Sequence, residues 1–527
     1  MSPERLPSGG ETKKSVISAD VVVFEPTATG VMAAVAAARE GASVAVVGRS
    51  KHVGGMVSGG LSWTDVGETN VIKGLTRQFY QEVADHYKRP LWEVKGPEPH
   101  VAEKILMKQL EQSGVGVYLG EELENVSTKD NRIQSIRTDK ATYHASVFID
   151  ASYEGDVMAG AGVRYAVGRE SKAQYGEALA GVKPATRPNK HNFITPHAIT
   201  ILDPFTADRT SLLPFISEPK QFDYPGLPAH RIGEADDALQ AYAFRVVMTD
   251  KSSNKIPFTQ PDGYTPEKFE LLDRYLHARG KDLHAQDLMG LVPDLLPNGK
   301  CDVNSIGPFS LNLLDGSNKK YPDGDKRMRK DIRDNHLHYT QSFLYYLANE
   351  KSVPKHIRKE MNKWGLCADE FTDTKGWPHQ LYVREGRRMK GEHVLVEQDL
   401  MYARQQSDVI SLGSYNIDLR EAVRVAEYWP NFGTEYATLN EGYASLRVPA
   451  YEIPYRTLTP KKEENENLLV PVCSSTSHVA FGSVRMEPTM MQLGEAAGIA
   501  AAQAAQRGKA VQDVDIRAVQ QILFDPR

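Results

Sequence analysis

Residues 20–47 read DVVVFEPTATGVMAAVAAAREGASVAVV, and this stretch decides the fold. Asp20-Val-Val-Val-Phe24 is a short apolar run of the kind found in parallel strands buried on both faces. Gly30 to Arg39 is rich in alanine and free of breakers, which predicts a helix, and Gly41 follows as a helix-ending glycine. Ser43 to Val47 is the next apolar strand. Strand, helix and strand in about thirty residues form a βαβ unit, the opening of a dinucleotide-binding fold.

Working outward, Gly114 to Tyr118 reads as a third strand. Residues 121–149 alternate polar turns with apolar positions, which predicts hairpin strands ending in Val147-Phe-Ile149. From about 165 to 465 the pattern is mixed, with many Pro and Gly and aromatic-rich helices such as Phe343 to Ala348. Gly494 to Ala505 is a helix of small residues suited to close packing on a sheet. The expectation is an α/β, two-domain protein: a tail over 1–19, a Rossmann-like domain over 20–165, a mixed α+β substrate or cap domain over 166–465, and a return to the first domain over 466–527.

The chain has 527 residues, with 41% hydrophobic and 25% charged, the balance of an ordinary globular enzyme. Net charge is -5 and no basic stripe is visible, which disfavours nucleic acid as a partner and leaves a small molecule. No long apolar run predicts a membrane span, and the polar start lacks the apolar core of a secretory signal, so a cytoplasmic protein is expected. Three cysteines, Cys301, Cys367 and Cys473, have no paired spacing, which argues against a disulfide framework and a zinc site. Cys473 reads as a small buried hydrophobe.

The phosphate-binding fingerprint G-x-G-x-x-G is eroded. Its positions hold Glu25, Thr27 and Gly30, so only the third glycine survives. Glu25 brings a negative charge close to where a pyrophosphate lies, and Pro26 has no N–H to donate. The second strand should end in an acid for the ribose hydroxyls. Gly48 stands there, followed by Arg49, which pairs either with a phosphate or with Glu25. A strand end of this kind is expected to tolerate Gly48→Glu.

Several longer motifs carry a resemblance. They are Lys51-His-Val-Gly-Gly-Met-Val-Ser-Gly-Gly-Leu-Ser-Trp-Thr-Asp65, Asp150-Ala-Ser-Tyr-Glu-Gly-Asp156 and Val167-Gly-Arg-Glu-Ser171. Further on come Trp377-Pro-His-Gln-Leu-Tyr-Val-Arg-Glu385, Gly413-Ser-Tyr-Asn-Ile-Asp418 and Ser477-His-Val-Ala-Phe-Gly-Ser-Val-Arg-Met-Glu-Pro488. In this order they resemble the FAD-dependent oxidoreductases often labelled xanthan-lyase-like, over nearly the whole chain after residue 19. Two departures stand out: members usually have a glycine pair at Glu25-Pro26, and often a histidine where Arg420 stands.

The resemblance implies FAD as cofactor, held by Gly30, Arg49, Gly54, Gly55, Met56, Gly59, Gly60, Asp156, Glu487 and Gly494. It implies a last helix whose N-terminus faces the flavin, with Arg485 at its approach, and such a positive end stabilises a reduced flavin. His478 is the first choice for proton transfer; His379 and Arg384 are expected to line a substrate cavity. Plainer readings stand beside each of these. The glycines only make turns, Asp156 caps a helix, Arg485 pairs with Glu487, and His478 is structural. Two functions follow. Either FAD oxidises or reduces a small organic molecule, or the fold has lost redox chemistry and runs a cyclisation or isomerisation in the old cavity.

Overall fold

The structure is a computed structural model and describes residues 14–94, 96–217, 231–304, 306–428 and 436–524. Its organising layer is a sheet in which β1 (Ser15–Phe24), β2 (Val44–Gly48) and β3 (Gly116–Leu119) lie on one side. On the other side come β4 (Leu123–Lys129), β5 (Arg132–Thr138) and β6 (Ala141–Asp150), in the order β3-β2-β1-β6-β5-β4. β1 pairs in parallel with β2, Val21 opposite Val44, and with β6, Phe24 opposite Asp150. β4, β5 and β6 form an antiparallel meander. Leu468–Leu469 then adds in parallel beside β6, bringing late sequence back to the early sheet.

Val21 to Phe24 are all buried, as the apolar run requires. β1 begins at Ser15 rather than Asp20, because residues 15–19 continue the ladder against Ala141–Ala145 of β6. The rest of the expected tail, residues 1–13, lies outside the described residues. Helix α1 (Ala28–Arg39) starts earlier than its alanine run suggests, since the Thr27 hydroxyl accepts the Gly30 N–H at 3.0 Å and caps it.

A second core lies in the middle of the chain. Four short antiparallel strands, Lys300–Val303, Val246–Thr249, Gly365–Cys367 and Lys255–Ile256, share it with the helix Lys326–Asn349, through Phe343, Leu344 and Leu347. No helix among the described residues is long and apolar enough to cross a membrane.

The helix Glu487–Arg507, expected as the last but followed by a shorter one over Ile516–Phe524, runs against α1 at very short range. A Cβ on Gly494 would collide with the Thr29 carbonyl, and one on Gly498 with the Ala33 carbonyl. Small residues on both helices permit this approach, and buried Ala33, Ala37, Ala497 and Ala501 share the resulting core. Gly498→Ala therefore overpacks the interface and is expected to cost about 1–3 kcal/mol, read as a lower thermal melting temperature. An unchanged melting temperature would show that the two helices part freely.

Candidate cofactor cavity and active site

The turn between β1 and α1 is the starting point. Glu25 has φ +70°, the left-handed conformation that the first glycine of a fingerprint supplies without strain. Its carboxylate turns away from the helix toward the end of β2, where Oε1 accepts the Arg49 backbone N–H at 3.0 Å and Nε at 2.9 Å. The same guanidinium reaches Glu154 at 2.7 Å and Asp156 at 3.1 Å. Asp156 also takes two bonds from Arg329, at 2.7 and 2.8 Å, and one from Arg387 at 2.9 Å. Burial works against the Asp156 carboxylate, but these guanidiniums outweigh it and hold the group below the usual range. Burial pushes Glu25 up, with Arg49 opposing.

These residues line a cavity of about 700 Å³. It runs from Leu123–Val126 of β4 past Pro26 and Thr27 at the mouth of α1 to His379, Gln380 and Leu381. Arg49, Arg329, Arg333 and Arg387 project onto it with Lys326 and Lys330, opposed by Glu25, Glu122, Glu124, Glu154 and Asp156. Guanidiniums in such number suit a phosphate-bearing ligand.

The 54–60 loop forms the next wall. Gly54 donates its N–H to the Pro26 carbonyl at 2.7 Å, which ties the loop to the α1 turn. Gly55 has φ +55° and lines the cavity. The Met56 N–H donates to the Tyr153 hydroxyl at 2.9 Å, and that hydroxyl donates to Glu487 at 2.8 Å. Burial pushes Glu487 up to about 7, against the Tyr153 bond. A second space of about 20 Å³, room for a water, lies between Trp63–Asp65, Tyr382 and Arg485–Pro488.

Other residues singled out by sequence lie elsewhere. Gly30 packs α1 on the Glu25 carbonyl, Gly59 faces the Gln380 side chain, Gly60 the Arg245 carbonyl, and Gly494 the Thr29 carbonyl. Their close neighbours are protein atoms. Arg485 donates to the Tyr382 hydroxyl at 2.8 Å and pairs with Asp418 at 3.1 Å rather than with Glu487. Arg384 is buried, stacks on the Tyr382 ring at 4.4 Å and donates to the Ala241 carbonyl. Arg420 pairs with Glu421 at 3.3 Å and meets His191 at 3.3 Å. The thiol of Cys473 is buried against the Ser152 and Tyr153 carbonyls and pushed well up. Gly155 caps the short helix Asp156–Gly160, so Asp156 is its first residue and not its cap.

The two histidines differ. His478 is 2% exposed and lines neither cavity. Its Nδ1 lies 2.9 Å from both Glu385 oxygens, and its N–H donates to Glu170 at 2.9 Å. Burial lowers its pKa, with Glu385 opposing. Burial also opposes the Glu385 charge, yet His478 and Arg388 hold that carboxylate at about 2. His379 lines the cavity, stacks on His52 with centroids 3.9 Å apart, and finds no partner for either ring nitrogen among the described residues. Burial and His52 push it down to about 4.

Tyr153 and Glu154 lay inside a quoted motif, but nothing local marked them as cavity residues. Arg329 and Arg387 had no local signal, since their shared partner Asp156 is remote in sequence. Among the described residues, the one group with metal-ligand spacing, Glu98, His100 and Glu370, is met by the Lys300 ammonium at 2.6 Å from Glu98 and 2.7 Å from Glu370.

These placements give an expectation for His478→Gln. It loses a charge-assisted bond to a buried carboxylate, so the melting temperature falls, by about 1.5–3 kcal/mol in stability. Turnover per folded molecule stays the same; a hundredfold loss with unchanged melting would return His478 to the chemistry.

A sequence-family profile described as FAD dependent oxidoreductase matches residues 20–523. No curated protein matches. Among solved structures, the 3-ketosteroid-delta4-(5alpha)-dehydrogenase from Rhodococcus jostii RHA1 is 16% identical over 28% of this chain and 49% of its own, with a TM-score of 0.20. L-proline dehydrogenase from P. horikoshii is 13% identical over 29% and 59%, TM-score 0.24. Thioredoxin reductase from T. acidophilum is 21% identical over 25% and 34%, TM-score 0.17. The chain thus spans less than two thirds of the length of each of these three. The family match takes in nearly the whole sequence, and the chain belongs to the FAD dependent oxidoreductase family, whose cofactor is FAD.

Proposed function

We propose that this protein oxidises or reduces a small organic molecule with FAD, and that His379 handles the proton. The observation that carries this is the cavity of about 700 Å³ at the mouth of α1, ringed by arginines and ending at an imidazole without partners. The residues present suit FAD. The cavity's size falls within the range of cofactor sites. Arg49 and Arg329 supply charge for a pyrophosphate beside the N-terminus of α1, and Gly55 leaves backbone close to the cavity. Buried atoms around the 54–60 loop also wait for partners: both nitrogens of His379, Oε2 of Glu487 and Nε of Arg485.

When bound, FAD supplies the acceptor or donor for hydride. The chain's residues do the rest. Arg485, fixed by Tyr382 and Asp418, places a permanent positive charge beside the N-terminus of the helix Glu487–Arg507. His379, neutral above its lowered pKa, accepts a proton at a ring nitrogen. Glu487, pushed up to about 7, holds a proton near neutrality.

A second reading keeps the cavity and drops the flavin. It draws on Pro26, which removes an N–H at the helix mouth, and on Glu487 as a ready acid for isomerisation or cyclisation. Denaturing the purified protein separates the two. The redox reading expects FAD released at close to one per chain, whereas a colourless and fully active preparation overturns it.

His379→Gln is expected to cut turnover by roughly 10²–10⁴-fold with little change in melting, because no hydrogen bond is lost. The acid limb of the pH profile follows from the direction of the shift. An imidazole lowered to about 4 is already neutral at pH 5, so the limb falls near pH 4 rather than 6.5, and His379→Gln removes it. A limb near 6.5 that survives the substitution would exclude His379 as the base.

A further inference from the structure

We propose that the Glu25 carboxylate accepts the ribose hydroxyls of the cofactor's adenosine half, a role that this fold gives to an acid at the end of the second strand. The inference rests on the reading that the cavity binds FAD.

Glu25 sits at the end of β1, but its side chain crosses to the end of β2. There Oε1 accepts both the backbone N–H and Nε of Arg49, at 3.0 and 2.9 Å. Oε2 lies 2.7 Å from the point where a Cβ on Gly48 would stand. A carboxylate therefore lies over the strand end that lacks its own acid. Oε1 is committed to Arg49, whereas Oε2 takes no hydrogen bond from the described residues, and Glu25 lines the cavity. A carboxyl group with one oxygen fixed and the other open is an oriented acceptor for hydroxyl groups.

Three departures from the fingerprint then become one change. A side chain at 48 would also meet the Pro26 ring, whose Cδ is 2.5 Å from that Cβ position. Glycine at 48 is what lets Glu25 and Pro26 occupy the corner. This corrects the sequence-based expectation that Gly48→Glu is tolerated: it collides with Pro26 and with the carboxylate already there. It also answers the charge problem, because the Glu25 carboxylate is paired with Arg49.

The test uses the full-length chain freed of flavin and compares dissociation constants for ADP and 2′-deoxy-ADP, with FAD binding as the check on the site. Wild type is expected to bind FAD and to favour ADP about tenfold, as one charge-assisted hydrogen bond would give. Glu25→Gln shrinks that preference to about twofold while FAD still binds. Gly48→Glu alone lowers the melting temperature. The triple variant Glu25→Gly, Pro26→Gly, Gly48→Glu moves the acid back to β2 and restores the preference, and it carries the test should Glu25→Gln fail to fold. Wild type that binds FAD without distinguishing the two nucleotides overturns the proposal and leaves the FAD reading intact. So does an unchanged preference in Glu25→Gln, or a triple variant without one. Wild type that binds neither FAD nor ADP overturns both.

Discussion

The Arg49 guanidinium holds the cofactor end of the sheet together. It stands just beyond β2 and engages Glu25 at the end of β1 and Glu154 and Asp156 just beyond β6. Those three strands are adjacent in the sheet, so their C-terminal ends converge where a doubly wound fold binds its ligand. Three acids this close repel unless a cation lies among them. Breaking a buried pair by removing one partner typically costs about 3–5 kcal/mol, because an uncompensated charge is left behind. Arg49 leaves three. Arg329 and Arg387 share the load at Asp156 but do not reach Glu25.

That arrangement changes how the phosphate loop works. In the usual fingerprint, glycines let a pyrophosphate approach free N–H groups at the helix start. Here Thr27 uses its hydroxyl to cap the Gly30 N–H and to reach the Ala151 carbonyl at 2.9 Å. Pro26 offers no N–H at all. The Gly30 N–H is thus taken up within the turn, and the positive charge at this corner sits on side-chain guanidiniums brought together from residues far apart in sequence.

This explains what the sequence disclosed and what it hid. The βαβ opening was legible because strand burial and helix formation are local, written in DVVVF, the alanine run and Gly41. Met56, Asp156 and Glu487 were legible as parts of motifs, yet the link from the Met56 N–H through Tyr153 to Glu487 was not, since it joins three distant segments. Glu25 read as a damaging charge because its partner Arg49 and the emptied position 48 meet it only in the folded corner. Gly59, Gly60 and Gly494 were read as places for a cofactor; each is a place where this chain's own atoms come close. Small residues admit either neighbour, and spacing alone does not distinguish them.

The histidines turn on the same distinction between satisfied and unsatisfied groups. His478 has the richer motif, but a buried imidazole that binds a carboxylate held at about 2 is committed to structure. Burial disfavours charge on it, Glu385 favours charge, and Lys183 and Arg388 add to the effect of burial. His379 has a poorer motif and no hydrogen bond, at a cost in desolvation that nothing in the protein offsets. A fold that keeps such a group beside a cavity of about 700 Å³, with Glu487 Oε2 and Arg485 Nε unpaired around the same loop, has left polar valences for something else to fill. Unpaired atoms are therefore the ground on which His379, and not His478, is proposed for proton transfer.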